Sequence, residues 1–175
     1  MSTTTDCTAT ECRIYVASLS DYNAGRLHGA WIDLDDCAGV GDIWDAINAM
    51  LAKSREAGAE EWAIHDYEGL PDMGENPDFE DLWVFYEALG EHGEAWGEYV
   101  EYIGVGYATV EGFEEAYVGA YDSEKDFAEQ LVDDLGYLDE IPEHLRYYFD
   151  YEAFARDLFI GDYHMTEGGY VFGVS

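Results

Sequence analysis

An elongated α+β fold of three small modules is predicted by three features of this sequence. Short β-branched runs alternate with segments of helical apolar spacing, and Pro/Gly-rich breaks fall at residues 69–78 and 104–106. The charge is also too one-sided for a ball. Forty acidic residues face seven Lys and Arg, a formal net charge of −33 over 175 residues. A disordered acidic tail is excluded, because 48% of the residues are hydrophobic and 16% aromatic. Duplex DNA carries the same charge in about 56 Å of its axis. A compact globule of this length has a radius of gyration of only roughly 16 Å, and self-repulsion on so small a body opposes compaction.

The elements follow in order. Residues 1–11 are Thr-rich and predicted to fray. CRIYVASL, Cys12 to Leu19, reads as a strand, followed by a turn over Asp21–Gly25 and a second strand from Leu27 to Leu34. A loop over residues 35–41 leads to a helix whose apolar face is Ile43, Trp44, Ile47, Met50 and Leu51. Glu61–Tyr67 is a third strand, which completes an N-terminal ββαβ module over residues 1–68. GLPDMGENPD, residues 69–78, is the linker into a helical middle module over residues 69–104. Its first helix should bury Phe79, Leu82, Trp83 and Tyr86; its second, Trp96, Tyr99, Val100 and Ile103. A break or kink is expected at His92-Gly93 or at Gly97. The third module, residues 105–175, is α+β with a short antiparallel sheet. It holds a short helix near Val110–Ala116 and a strand over Tyr117–Tyr121. A helix then opens at Ser123, with Asp126 three residues on, buries Phe127, Ala128, Leu131 and Leu135, and stops at Gly136. Pro142 opens a helix over PEHLRYYF, and Tyr151, Phe154, Ala155 and Leu158 line the next. Strands over residues 159–165 and 170–174 close the chain around a hairpin turn at residues 166–169.

Composition narrows the function. No run approaches the ~18 apolar residues of a membrane span. Residues 1–10 lack the basic and apolar regions of a secretory signal. Three cysteines, Cys7, Cys12 and Cys37, are odd in number and suit free thiols in a reducing cytoplasm. Nucleic acid and anionic lipid are polyanions, so neither is expected as a direct partner; basic surfaces are. No catalytic residue, cofactor or metal site is assigned. Neither HExxH nor His-x-x-x-His occurs, and the cysteines lack a second ligand pair. Gly39-Val40-Gly41 and Gly104-Val105-Gly106 lack the third glycine of a nucleotide-binding turn. Among forty acids, pairs of carboxylates arise by chance and carry no catalytic signal.

The acids themselves are patterned. Glu87, Glu91, Glu94, Glu98 and Glu101 recur every three or four residues, so a nearly continuous helix would carry a ~21 Å acidic stripe. Such like-charge spacing costs ~0.2–0.5 kcal/mol per pair, and no Lys or Arg lies between Arg55 and Lys125 to relieve it. Asp126, Glu129 and Asp133 form a shorter stripe. Asp66, Glu68, Asp72, Glu75, Asp78, Glu80 and Asp81 surround the proline loop. An ordinary solvated face mixes signs, and these stretches do not. All these acids are candidate partner-binding groups.

Three segments carry a family resemblance: IYVASLSDYNAGRLHGAWIDL (Ile14 to Leu34), EEWAIHDYEGLP (Glu60 to Pro71) and LDEIPEHLRYYFDYEAFARDL (Leu138 to Leu158). In this order they resemble the ArdA-type antirestriction proteins, DNA mimics carried by mobile elements. The last segment is similar to that family's antirestriction motif. The resemblance implies three small domains in a curved rod, carboxylates standing in for phosphates, and a homodimer through the C-terminal domain. It also implies a target: the DNA-binding core of type I restriction–modification enzymes, formed by specificity and methylation subunits. On this reading Leu138, Glu140, Ile141, Pro142, Leu145, Tyr148, Phe149 and Tyr151 make the motif region and dimer contact.

Two other classes fit parts of the composition. A soluble protein of a halophile would be acidic with no DNA-competing activity. A carboxylate-dependent hydrolase would lose its activity on a single acidic substitution, whereas a mimic loses affinity gradually as charges are removed.

Overall fold

The structure, a computed structural model, describes residues 11–174; Cys7 and the Thr-rich start lie outside the described residues. The fold is mixed α+β, as the sequence predicts. Among the described residues there are six strands and eight α-helices, and the strands form two three-stranded antiparallel sheets. The chain forms two compact units that divide between Gly90 and Glu91.

In the first unit, β1 (Arg13–Ser18) runs into α1 (Leu19–Asn23), β2 (Gly29–Asp33), a 3-10 turn (Leu34–Asp36), α2 (Val40–Ala52) and β3 (Trp62–Glu68). The sheet order is β2-β1-β3, with Ile14 opposite Ile32 on one side and Tyr67 on the other. Alternation along β1 puts Ile14 and Val16 in the core and leaves Arg13 and Tyr15 on the opposite face. α2 covers the apolar face with Ile43, Ile47 and Met50, spaced at four and three residues. Trp44, expected in that face, is half exposed and stacks edge-on against Trp62 and Phe79 at its margin. The expected turn at Asp21–Gly25 is corrected to a short helix over residues 19–23, because the Ser18 hydroxyl caps the Asp21 amide.

The segment over residues 69–78 is packed onto this unit. Leu70 and Met73 lie against its core, and the Glu75 carbonyl accepts the Ile64 amide at 2.8 Å. Next comes α3 (Phe79–His92), whose Phe79 and Leu82 join the same core with Trp83 and Tyr86 packed beside them.

The second unit contains α4 (Glu94–Ile103), α5 (Val110–Ala116), β4 (Tyr117–Ala120), α6 (Glu124–Leu135), α7 (Glu143–Arg146), α8 (Tyr151–Gly161), β5 (Tyr163–Met165) and β6 (Tyr170–Gly173). The sheet order is β4-β6-β5. Its core is aromatic. Phe113 lies 5.1 Å from Tyr117, 5.4 Å from Tyr99 and 5.7 Å from Trp96, ring centre to ring centre. These spacings fall in the range where offset and edge-on pairs are favourable. A second aromatic group gathers Tyr121, Phe159 and Tyr163 around the buried Phe127.

Two boundaries and two burial assignments differ from the sequence reading. Residues 159–161 are the last turn of α8 and not strand, since Phe159 sits one turn beyond the buried Ala155 and packs on Phe127. The helix expected over PEHLRYYF is confined to residues 143–146, because Asp150 caps the next helix through the Ala153 amide at 3.0 Å. Ile103 and Leu135, assigned to core faces by periodicity, are exposed.

Candidate functional site

The acids singled out in the sequence all reach solvent. Asp66, Glu68, Asp72, Glu75, Asp78, Glu80, Asp81, Glu87, Glu91, Glu94, Glu101, Asp126 and Asp133 are exposed, and Glu98 and Glu129 are partly so. The outward set is broader still. Asp42 and Asp45 stand on α2 away from its buried face, and Glu111, Glu114, Glu115, Asp122 and Glu124 are exposed in the second unit. Those on α2 were legible from their offset to Ile43 and Ile47; Glu111 and Glu124 sit in first turns, Asp122 in a loop, and Glu114 and Glu115 in the second half of the seven-residue α5, too short for periodicity to carry a signal. Among the described residues only one acid, Asp21, is buried.

The acidic stripe over residues 87–101 is divided. α3 ends at His92, Gly93 adopts φ 63°, and α4 restarts at Glu94. That left-handed conformation is one glycine adopts readily, so the break falls at the first of the two positions expected. Glu87 and Glu91 belong to α3; Glu94, Glu98 and Glu101 belong to α4.

Several of these carboxylates also hold backbone. Asp78 accepts the Glu80 amide at 2.8 Å at the start of α3, and Asp72 accepts the Gly74 amide at 2.8 Å. Glu98 accepts the Gly168 amide at 3.1 Å, which ties α4 to the closing hairpin, and Tyr170 donates its hydroxyl to Glu94 at 3.4 Å. Each such contact narrows the rotamers of an exposed acid. Beside the proline loop, Tyr22, His65, Asp66, Tyr67, Asp72 and Glu75 line an open cleft of about 570 Å³. The Tyr67 hydroxyl donates to the Gly74 carbonyl at 2.6 Å, and burial, with Asp72 nearby, pushes it up to about 12.

The few bases are largely occupied. Arg13 pairs with Glu68 and lies 4.6 Å from the ring centre of Trp31. Arg26 reaches Asp21 and Glu56, Lys125 reaches Glu129 at 3.9 Å, and Arg156 reaches Asp157 at 3.5 Å. Arg146 donates to the carbonyls of Ile141 and Asp139 at 2.9 and 3.0 Å. Of the acids singled out, Glu68 and Glu129 are therefore matched by a base. Hydrogen bonding from Arg13 holds the Glu68 carboxyl below its usual range.

The motif segment is mixed in exposure. Leu138 is buried, Phe149 and Tyr151 are half buried, and Glu140, Ile141, Pro142, Leu145 and Tyr148 are exposed. Tyr147, beside them, is 87% exposed. Among the described residues no group of three or more His, Cys, Asp or Glu side chains is placed to hold a metal ion. No described helix is long and apolar enough to cross a membrane.

Fold and surface define the class: an acidic α+β protein whose carboxylates face outward from two small cores. The family model for antirestriction protein (ArdA) matches residues 14–172, and the chain belongs to that family. Its function is accordingly antirestriction, and restriction–modification enzymes are the class of partner the family points to. No curated protein matches the chain.

Proposed function

We propose that the chain inhibits type I restriction–modification enzymes as a DNA mimic, its carboxylates occupying the basic channel that the specificity and methylation subunits form for DNA. The observation that carries this reading is the outward disposition of the acids: in folded, capped elements, every described acid except Asp21 reaches solvent. Proteins gain DNA affinity by pairing Lys and Arg with phosphates and releasing counterions, and fixed carboxylates offer the same exchange. Ordered elements also avoid the ordering cost that a flexible acidic tail bears on binding. The mimic itself binds no nucleic acid, for the same electrostatic reason. It works in the cytoplasm, where the enzyme meets DNA.

The inhibitor acts as a homodimer through its C-terminal part, with Ile141, Leu145 and Tyr148 in the contact. Their exposure beside Tyr147 supports this, since aromatic side chains are enriched at interfaces. The decisive experiment is competition on a purified type I methyltransferase carrying labelled duplex DNA. The chain is expected to displace the duplex, with an apparent affinity that falls steeply as salt rises. Retention of the duplex against excess protein at roughly 100 mM salt contradicts the proposal.

A further inference from the structure

The second unit carries a groove of about 670 Å³ that a phosphate-like array does not explain. Its walls include Ile103, Leu131, Leu135, Tyr137 and Val174. Helical spacing assigns Ile103 and Leu135 to core faces, yet they are 37% and 55% exposed; Tyr137 and Val174 are 56% and 44% exposed. Large apolar side chains gathered on one surface mark an interaction site more often than singly scattered ones do. Glu115 and Asp162, both exposed, also line the groove, and no Lys or Arg does. Facing two such grooves from two copies would set these carboxylates against each other, and like charges across an interface are costly. The complementary occupant is apolar at its tip and basic beside it.

We propose that this groove docks an apolar side chain flanked by lysine or arginine on the restriction–modification enzyme, a contact that DNA does not make. The inference rests on the function proposed above and adds an anchor to it. Pairing between carboxylates and bases weakens with salt, whereas burial of apolar surface does not. The groove therefore retains the inhibitor under conditions where charge mimicry alone fades, and gives it an advantage over the duplex it displaces.

The test measures binding of the full chain to a purified type I methyltransferase at roughly 50 and 200 mM salt. The variants are Leu135→Ser/Tyr137→Ser and, separately, Val174→Ser, all at exposed positions, with unfolding midpoints recorded beside them. The double variant should bind about tenfold more weakly at both salt concentrations, with an unchanged salt slope. Glu80→Gln/Asp81→Asn should instead flatten the slope. Unchanged affinity in both groove variants overturns the assignment. So does a fall in affinity that accompanies loss of self-association by sedimentation, which would seat a second copy in the groove. If the unmodified chain binds at neither salt concentration, the functional reading fails and the anchor with it. If the unmodified chain binds and the groove variants match it, only the anchor falls.

Discussion

Asp21 shows how a buried carboxylate can serve the fold in a chain whose other described acids reach solvent. It is 1% exposed, accepts a hydrogen bond from the Ser54 hydroxyl and forms an ion pair with Arg26 at 3.5 Å, while the Ser18 hydroxyl caps its amide. The Ser54 hydrogen bond, above all, holds its carboxyl below the ordinary value near 3.8, outweighing the burial that acts the other way. A depressed folded-state pKa contributes stability that is fully present above the unfolded value and lost as pH falls through the folded one. Asp21→Asn should therefore lower the urea midpoint at neutral pH, with the gap to the parent closing below about pH 4. A gap that persists unchanged at lower pH would show that the carboxylate charge is not what matters there. The two described cysteines are quiet by the same physics. Burial, chiefly, with acidic neighbours, raises the thiols of Cys12 and Cys37, which disfavours the reactive thiolate.

At the scale of elements, four of the helices begin on short polar side chains that cap them. Ser18 opens α1, Thr109 opens α5, Ser123 opens α6 and Asp150 opens α8, each accepting an amide from the first turn. Ser123 accepts the Asp126 amide at 3.1 Å, and α6 ends on Gly136 at φ 65°. Both ends were legible in the sequence, because capping chemistry is local. Ser123→Ala should cost about 1 kcal/mol, read as a shift in the chemical-denaturation midpoint with an unchanged denaturant slope. A neutral result would mean that tertiary contacts alone set where α6 begins. The strand expected at residues 159–161 was not legible correctly, since an aromatic, β-branched run satisfies either period. Packing of Phe159 on Phe127 decides for helix.

For the whole molecule the governing quantity is −33. Self-repulsion opposes the compact state and is screened by salt, while the same screening weakens capture of a basic partner. Added salt should therefore raise the melting temperature at pH 7 and lower affinity for the methyltransferase over the same range. A melting temperature that falls with salt would contradict both parts of this account. The charged surface is consistent with the cap pattern, in that acids are placed at helix starts, where the helix dipole favours them.

The sequence by itself determined the α+β class, the order of nearly all elements, both ends of α6, the acidity and the family. These follow from local periodicity, turn chemistry and composition, each carried by neighbouring residues. Tertiary structure alone decided that Asp21 is buried, that Arg13 occupies Glu68, and that residues 69–78 pack onto the first core. It alone left Ile103 and Leu135 uncovered beside a groove. Each of these depends on groups far apart in the chain meeting in space, and no spacing along the chain encodes which of forty carboxylates a given arginine will reach.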